Sequence, residues 1–286
     1  MSSSPLCVNC TYPSDYLYTI YKTRSNIRLS VCPRCDAFLD PLIEHPPLIL
    51  FLDLVLLKPR VFLHLLFNRG STPFSATGPN QGLEERKSAR RAVVRGDLFW
   101  LITMTVFAET IVRLLPHLSA LAIGPILIGK TVGNVVAELS VQHLVTLGVA
   151  LVVLKLRAWP ILIPLTLLYT SLLPLLLQVL LSIWYTPGLA TDVSLPASAI
   201  STRTPAIQER YTRFIPEGLG NTLFQLENEV SRVLGGTDHV WAGTRLLGGM
   251  SAGFGLRVLL PTKPWETTGV VLAGWIAAAL VNKAFE

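Results

Sequence analysis

Cys7-Val-Asn-Cys10 and Cys32-Pro-Arg-Cys35, followed closely by Leu42-Ile-Glu-His-Pro-Pro-Leu-Ile-Leu-Phe-Leu-Asp-Leu-Val-Leu-Leu-Lys-Pro-Arg-Val-Phe-Leu-His-Leu-Leu-Phe-Asn68, decide the architecture. All four cysteines of the chain sit in the two CxxC pairs, separated by residues 11–31. Each pair can wrap one side of a tetrahedral ion with Zn–S bonds of about 2.3 Å. The spacer is only slightly longer than the roughly 15–20 residues usual for zinc sites, and a hairpin can close it. Residues 16–21 and 27–31 alternate with period two and are rich in β-formers, with residues 23–26 as the turn. Knuckle, hairpin, knuckle predicts a zinc ribbon, with Cys7, Cys10, Cys32 and Cys35 holding one structural zinc ion. The competing reading is two disulfides. It is disfavoured because paired CxxC spacing suits a disulfide scaffold poorly and residues 1–6 lack the basic and apolar regions of a signal peptide. A redox CxxC would call for a βαβ context, which the neighbouring sequence lacks. The sequon at Asn9 lies inside a knuckle and reads as unglycosylated.

Outward from this module the chain turns apolar. It has 286 residues, 51% hydrophobic and 15% charged, with mean hydropathy +0.51. Soluble domains carry about 25% charged residues, so this composition predicts a mostly α-helical, polytopic membrane protein with one small β module. The net charge of +6 would suggest nucleic acid in a soluble protein. Here it predicts basic loops at a lipid surface and no nucleic-acid partner.

The sequence divides into six stretches: a zinc ribbon at 1–40, interfacial or re-entrant helices at 41–68, a basic linker at 69–97, transmembrane helices at 98–185, a polar and luminal loop at 186–239, and a membrane hairpin at 240–286. In 43–68 the apolar runs are too short to span. On a helix Asp53, Arg60 and His64 fall near one face, where Asp53 would pair with Arg60 or a headgroup; Pro59 would kink such a helix, so a helix pair is expected. Lys58 and Arg60 would snorkel to the lipid surface. Residues 71–82 are turn-rich and expected to be disordered. Between residues 69 and 95, six basic residues face two acidic ones, which predicts a cytoplasmic loop and hence a cytoplasmic ribbon.

Residues 98–115 form the first spanning candidate, with Glu109 and Arg113 as i,i+4 partners. Residues 118–136 and 139–154 read as two further segments. Lys155 and Arg157 favour a cytoplasmic loop, so one of these two segments is expected to be a half-span. Residues 159–185 give the clearest span, belted by Trp159, Trp184 and Tyr185 and bent by Pro160, Pro164 and Pro174. An amphipathic helix is expected within 208–233. The Gly249-Met-Ser-Ala-Gly253 pattern predicts close helix contact.

The sequence contains no P-loop, GxSxG or HExxH motif. Its five histidines are scattered, and a closed four-thiolate site leaves no open position for catalysis. These features predict a protein that is not an enzyme. The alternatives are an intramembrane lipid enzyme or enzyme subunit using Glu109, Glu138 or Asp53 as acid–base group, or a membrane-tethered ribbon acting only as a scaffold.

The order zinc ribbon, Ile43-Glu-His45, Leu-Phe-Leu-Asp-Leu-Val-Leu-Leu-Lys58 and His64-Leu-Leu-Phe-Asn68 resembles the Arv family of endoplasmic-reticulum membrane proteins. That family follows its CxxC pairs with Glu-x-Asp, Ile-Asp-Leu-x-Leu-x-Lys and Tyr-Arg-His-Leu-Leu-Phe-Asn. Matching positions are Glu44, Asp53, Lys58, His64 and Asn68, expected at the lipid boundary. The chain departs at Pro46-Pro47, where an acidic residue is usual, and at Phe62-Leu63, where Tyr-Arg is usual. The resemblance covers the first quarter of the chain. It implies a multi-pass protein of the endoplasmic reticulum, with Golgi membrane as a further location. The implied role is in sterol transport and distribution, sphingolipid metabolism and supply of glycosylphosphatidylinositol precursors. The implied partners are membrane lipids and lipid-enzyme proteins.

Overall fold

A computed structural model of the chain describes residues 4–21, 27–118, 124–153, 160–184, 239–259 and 262–285. The expected turn at 23–26, the loop at 186–238 with its amphipathic helix, Lys155 and Arg157, and the belt residues Trp159 and Tyr185 lie outside the described residues.

The N-terminal module is a three-stranded sheet in the order β2-β1-β3. Strand β1 (Tyr18–Ile20) pairs antiparallel with β2 (Ile27–Leu29), Tyr18 opposite Leu29 and Ile20 opposite Ile27. The third strand, β3 (Phe74–Ser75), comes from the stretch expected to be disordered and runs parallel to β1. Local chemistry orders it. Asn80 Oδ1 accepts from Ser75 N at 2.7 Å, Ser75 Oγ accepts from Gly78 N at 2.9 Å, and the Phe74 ring packs edge-on against Tyr16. The basic linker is therefore partly part of the ribbon.

Four short turns of helix carry the chain from the ribbon to the bundle. A 3-10 turn (Pro41–Glu44) is capped by Asp40, and α1 (Pro47–Val55) follows. The α1 helix ends in a Schellman arrangement, with Leu57 N donating to Leu54 O and Lys58 N to Asp53 O, and Leu57 at φ 53°. Pro59 forces Lys58 out of the helical region, so the chain restarts as α2 (Pro59–Leu63) and tightens into a π-turn, His64–Asn68. The break falls at Pro59, as expected for a helix pair, but it separates the three polar residues that share a face on an unbroken helix. Asp53 pairs with Lys58 at 2.5 Å, Arg60 donates to Asn9 Oδ1 at 2.9 Å, and His64 points elsewhere. On α1 and its C-cap, Leu48, Leu52 and Leu56 recur every fourth residue and are 68%, 50% and 67% exposed, an apolar stripe left open among the described residues.

The remaining described residues form five helices: α3 (Leu83–Leu118), α4 (Pro125–Val153), α5 (Leu162–Trp184), α6 (His239–Leu259) and α7 (Pro264–Phe285). Four of them, α3, α4, α5 and α7, are long and apolar enough to cross a bilayer. Helix α3 begins at Leu83, so the boundary expected at residue 98 falls inside it and the polybasic run is its first turns. The segments 118–136 and 139–154 are not separate: from Pro125 onward they form one helix. Only Pro174 is interior to α5.

Packing joins α4 to α7, α5 to α6, and α3 to both α4 and α5. Gly249 lies against the Trp275 ring, which a Cβ there would overlap. At Gly253, its partner in the small-residue pattern, an added Cβ would meet no other described element within 4 Å. The expected i,i+4 ion pair of Glu109 and Arg113 is present, and a second carboxylate joins it. Arg113 makes a bidentate pair with Glu138, at 2.9 and 2.6 Å, and stands 3.8 Å from Glu109.

Candidate metal centre and its seat on the membrane helices

The two knuckles are copies of one backbone motif. In the first, Cys7 N donates to Tyr12 O and Thr11 N to Cys7 O; in the second, Cys32 N donates to Ala37 O and Asp36 N to Cys32 O. The residue after each second cysteine takes the left-handed conformation, Thr11 at φ 58° and Asp36 at φ 55°. This turns the backbone sharply enough for both sulfurs of a pair to face one point. Leu17 and Leu39, both fully buried, close the floor beneath Cys7 and Cys32.

All four Sγ atoms lie within 4.8 Å of one another, and all four thiols are free. Cys7 Sγ is 3.8 Å from Cys35 Sγ, and Cys10 Sγ is 3.5 Å from Cys32 Sγ. A disulfide requires about 2.05 Å. A tetrahedron with Zn–S bonds of about 2.3 Å has sulfur–sulfur edges of about 3.8 Å. The spacing therefore fits four thiolates around one metal ion and excludes the disulfide alternative.

The site contains both acidic and reluctant thiols. The backbone N–H of Ala37 and then the Asn9 side chain stabilise the Cys35 thiolate and bring its pKa down to about 6. Burial pushes Cys10 up to about 12 and also raises Cys7. A cation at the centre of the four sulfurs supplies the charge that would allow all of them to ionise.

The ribbon is held to the membrane helices by a buried polar cluster centred on Asp40, a residue the sequence reading passed over. Asp40 is fully buried. Its Oδ1 accepts from Leu42 N at 3.1 Å. Its Oδ2 accepts from Asn68 Nδ2 at 2.6 Å and stands 2.7 Å from His64 Nδ1. An ionised carboxylate only accepts, so His64 Nδ1 carries the proton in this contact. Asn68 also holds the strand leading into the first knuckle, donating to Leu6 O and accepting from Leu6 N, both at 2.8 Å. Arg90 of α3 closes the underside by donating to Leu66 O at 2.9 Å. The available sequence signal was the Asp40-Pro41 pair ahead of an apolar run, a helix-start signature.

The residues expected at the lipid boundary therefore separate. Glu44 is exposed at the end of the 3-10 turn, and Asp53 and Lys58 pair at the end of α1. His64 and Asn68 are 7% and 3% exposed and lie beneath the ribbon, not at a lipid-facing surface. A free carboxylate or imidazole at the bilayer edge would be costly; here each finds a partner in the interior.

The family model described as the Arv1-like family matches residues 6–202. Among curated proteins, the chain is 46% identical over 63 residues to "Protein arv1" of Schizosaccharomyces pombe, covering 22% of this chain and 24% of that protein. It is 41% identical over 63 residues to "Protein ARV1" of Saccharomyces cerevisiae (22% and 19%) and 29% identical over 62 residues to "Protein ARV1" of Mus musculus (22% and 23%). These matches span about a quarter or less of the relatives' own length. No solved structure matches. The family match takes in the metal centre, the Asp40 cluster and helices α1 to α5. The chain belongs to the Arv1-like family.

Proposed function

We propose that this chain is a non-catalytic membrane protein of the endoplasmic reticulum that maintains lipid homeostasis. Its role is in sterol distribution, with effects on sphingolipid balance and on the supply of glycosylphosphatidylinositol intermediates. The observation that carries this reading is the seat of the ribbon. His64 and Asn68, the residues of the His-Leu-Leu-Phe-Asn segment, join a metal-holding module to the membrane helices through Asp40. Such a joint suits a module that organises helices or docks partners at the membrane surface. In support of a non-catalytic role, four thiolates close the metal's coordination, and the Asp40 carboxylate is fully buried. The metal is one structural zinc ion. The ribbon and the basic start of α3 face the cytoplasm, where thiols stay reduced and anionic lipid is available. The partners are membrane lipids and proteins of lipid metabolism, not nucleic acid.

The test is lipid profiling of cells lacking the protein, rescued by wild type or by Cys32→Ser. Sterol distribution and glycosylphosphatidylinositol intermediates are followed together. Both should be disturbed, and wild type alone should restore them. Normal profiles in the deficient cells would overturn the reading.

A further inference from the structure

Helices α3, α4 and α5 carry the polar lining of a second site, whose wall is completed by Gly248 and Ala252 of α6 and Trp275 of α7. It is a cavity of about 90 Å³ within the apolar bundle, lined on its polar side by Thr105, Glu109, Gln142, His143, Ser171 and Gln178. Several of these side chains are only half-buried, so the cavity opens at the outer surface of the bundle. That is below the roughly 300–1,000 Å³ of a site that swallows a whole small molecule, so the cavity takes only the polar end of a ligand.

The lining is unsatisfied. His143 Nδ1 and Nε2, Glu109 Oε2 and Thr105 Oγ1 are buried with no hydrogen-bond partner among the described residues. Thr105 is only 3% exposed. Arg113 gives Glu109 Oε2 an ion pair at 3.8 Å but no hydrogen bond, because its short contacts go to Glu138. At membrane depth a polar group without a hydrogen bond is costly, and this cavity gathers four such atoms on two helices.

The geometry points to a binding site for a neutral lipid whose polar group is a hydroxyl, held by Glu109 and His143. The chemistry selects this class. The cavity needs a group that donates to a carboxylate and both donates to and accepts from imidazole and amide. A hydroxyl does both, whereas an ammonium only donates. A phosphodiester only accepts, and its charge opposes the two carboxylates that share the single guanidinium of Arg113. An apolar body would lie among the leucines of the bundle and the bilayer that the cavity opens toward. This site rests on the lipid-homeostasis reading and gives it a molecular contact.

The test uses the full chain in phosphatidylcholine vesicles, with three photoreactive diazirine probes: a sterol, a ceramide and a phosphatidylcholine. Labelled residues are located by peptide mass spectrometry. The sterol or the ceramide probe should label the cavity segments of α3, α4 and α5, and excess unlabelled lipid of the same kind should suppress it. Which of the two labels identifies the lipid. Glu109→Gln and His143→Asn should each lower that labelling by about tenfold, as expected for loss of a buried hydrogen bond to the ligand. The competition arm needs no substitution and so remains decisive if a variant misfolds. Equal labelling by the phosphatidylcholine probe, or labelling that competitor does not suppress, would overturn the site. If the site fails while deficient cells still show disturbed lipids, only the site falls. If it labels as expected while cell profiles are normal, only the cellular reading falls.

Discussion

His64 Nδ1 stands 2.7 Å from Asp40 Oδ2, and both side chains are almost completely buried. This contact ties the last turn before the basic linker to the chain leaving the second knuckle. Removing one member leaves the other polar group buried without its partner, and such losses cost about 3 kcal/mol. Asp40→Ala and His64→Leu should each destabilise the ribbon's attachment by about that amount. Asp40→Asn, which keeps an acceptor, should cost less. Thermal melting and protease release of residues 1–40 would read this. Wild-type behaviour of Asp40→Ala would show that the joint is held by apolar packing alone.

The metal centre has a defined pH response. Binding requires thiolates, so protons must leave Cys7 and Cys10, whose pKa values are raised, Cys10 to about 12. Apparent affinity should rise with pH across the neutral range. Cys35, held down near 6 by the Ala37 N–H and Asn9, is already ionised at pH 7. Below pH about 6 it takes up a proton, and affinity should fall more steeply with acidification. Chelator competition on the purified chain would trace this. Elemental analysis should find one zinc per chain in wild type and none in Cys32→Ser. Visible absorption from a thiolate-bound iron would contradict zinc.

The matched knuckles differ in one respect. Each places a non-glycine residue in the left-handed region, but Asp tolerates it better than β-branched Thr. Thr11 is exposed, so glycine there loses little packing. Thr11→Gly should stabilise the ribbon by about 1 kcal/mol, and Asp36→Gly by less. The order of the two melting shifts in metal-loaded protein is the check, and a larger gain from Asp36→Gly would reverse the argument.

In the bundle, Arg113 pairs bidentately with Glu138 of the neighbouring helix and only distantly with Glu109 of its own. Glu138→Gln should therefore destabilise the helix bundle by about 2 to 3 kcal/mol, and Glu109→Gln by much less. Comparable losses would mean that both carboxylates hold the guanidinium.

These cases show where the sequence was legible. The CxxC spacing specified the tetrad because tetrahedral thiolate coordination leaves little freedom, and the hairpin followed from period-two alternation between fixed ends. The joint was not legible. Pro59 marks the break between the two helices, but periodicity does not show that the break sends Asp53, Arg60 and His64 to three different partners. Strand β3 was hidden because its pairing is long-range and its sequence is that of a turn. Glu138 was hidden because an i,i+4 partner for Arg113 was available on the same helix. Tertiary geometry added the second carboxylate, and at the shorter distance.

The merging of residues 125–153 into one helix makes a topological prediction. Read as two crossings after α3, those segments would place Lys155 and Arg157 opposite the basic run at residues 69–95, against the positive-inside rule. One crossing removes the conflict. Helices α3 and α4 then traverse in opposite directions, and both basic stretches share the cytoplasmic side with the ribbon. An engineered glycosylation site at residues 119–123 should be modified, and one at residues 155–157 should not. Modification at the second position, or at neither, would mean that α4 does not cross as one span and that the sidedness assigned to the ribbon must be redrawn.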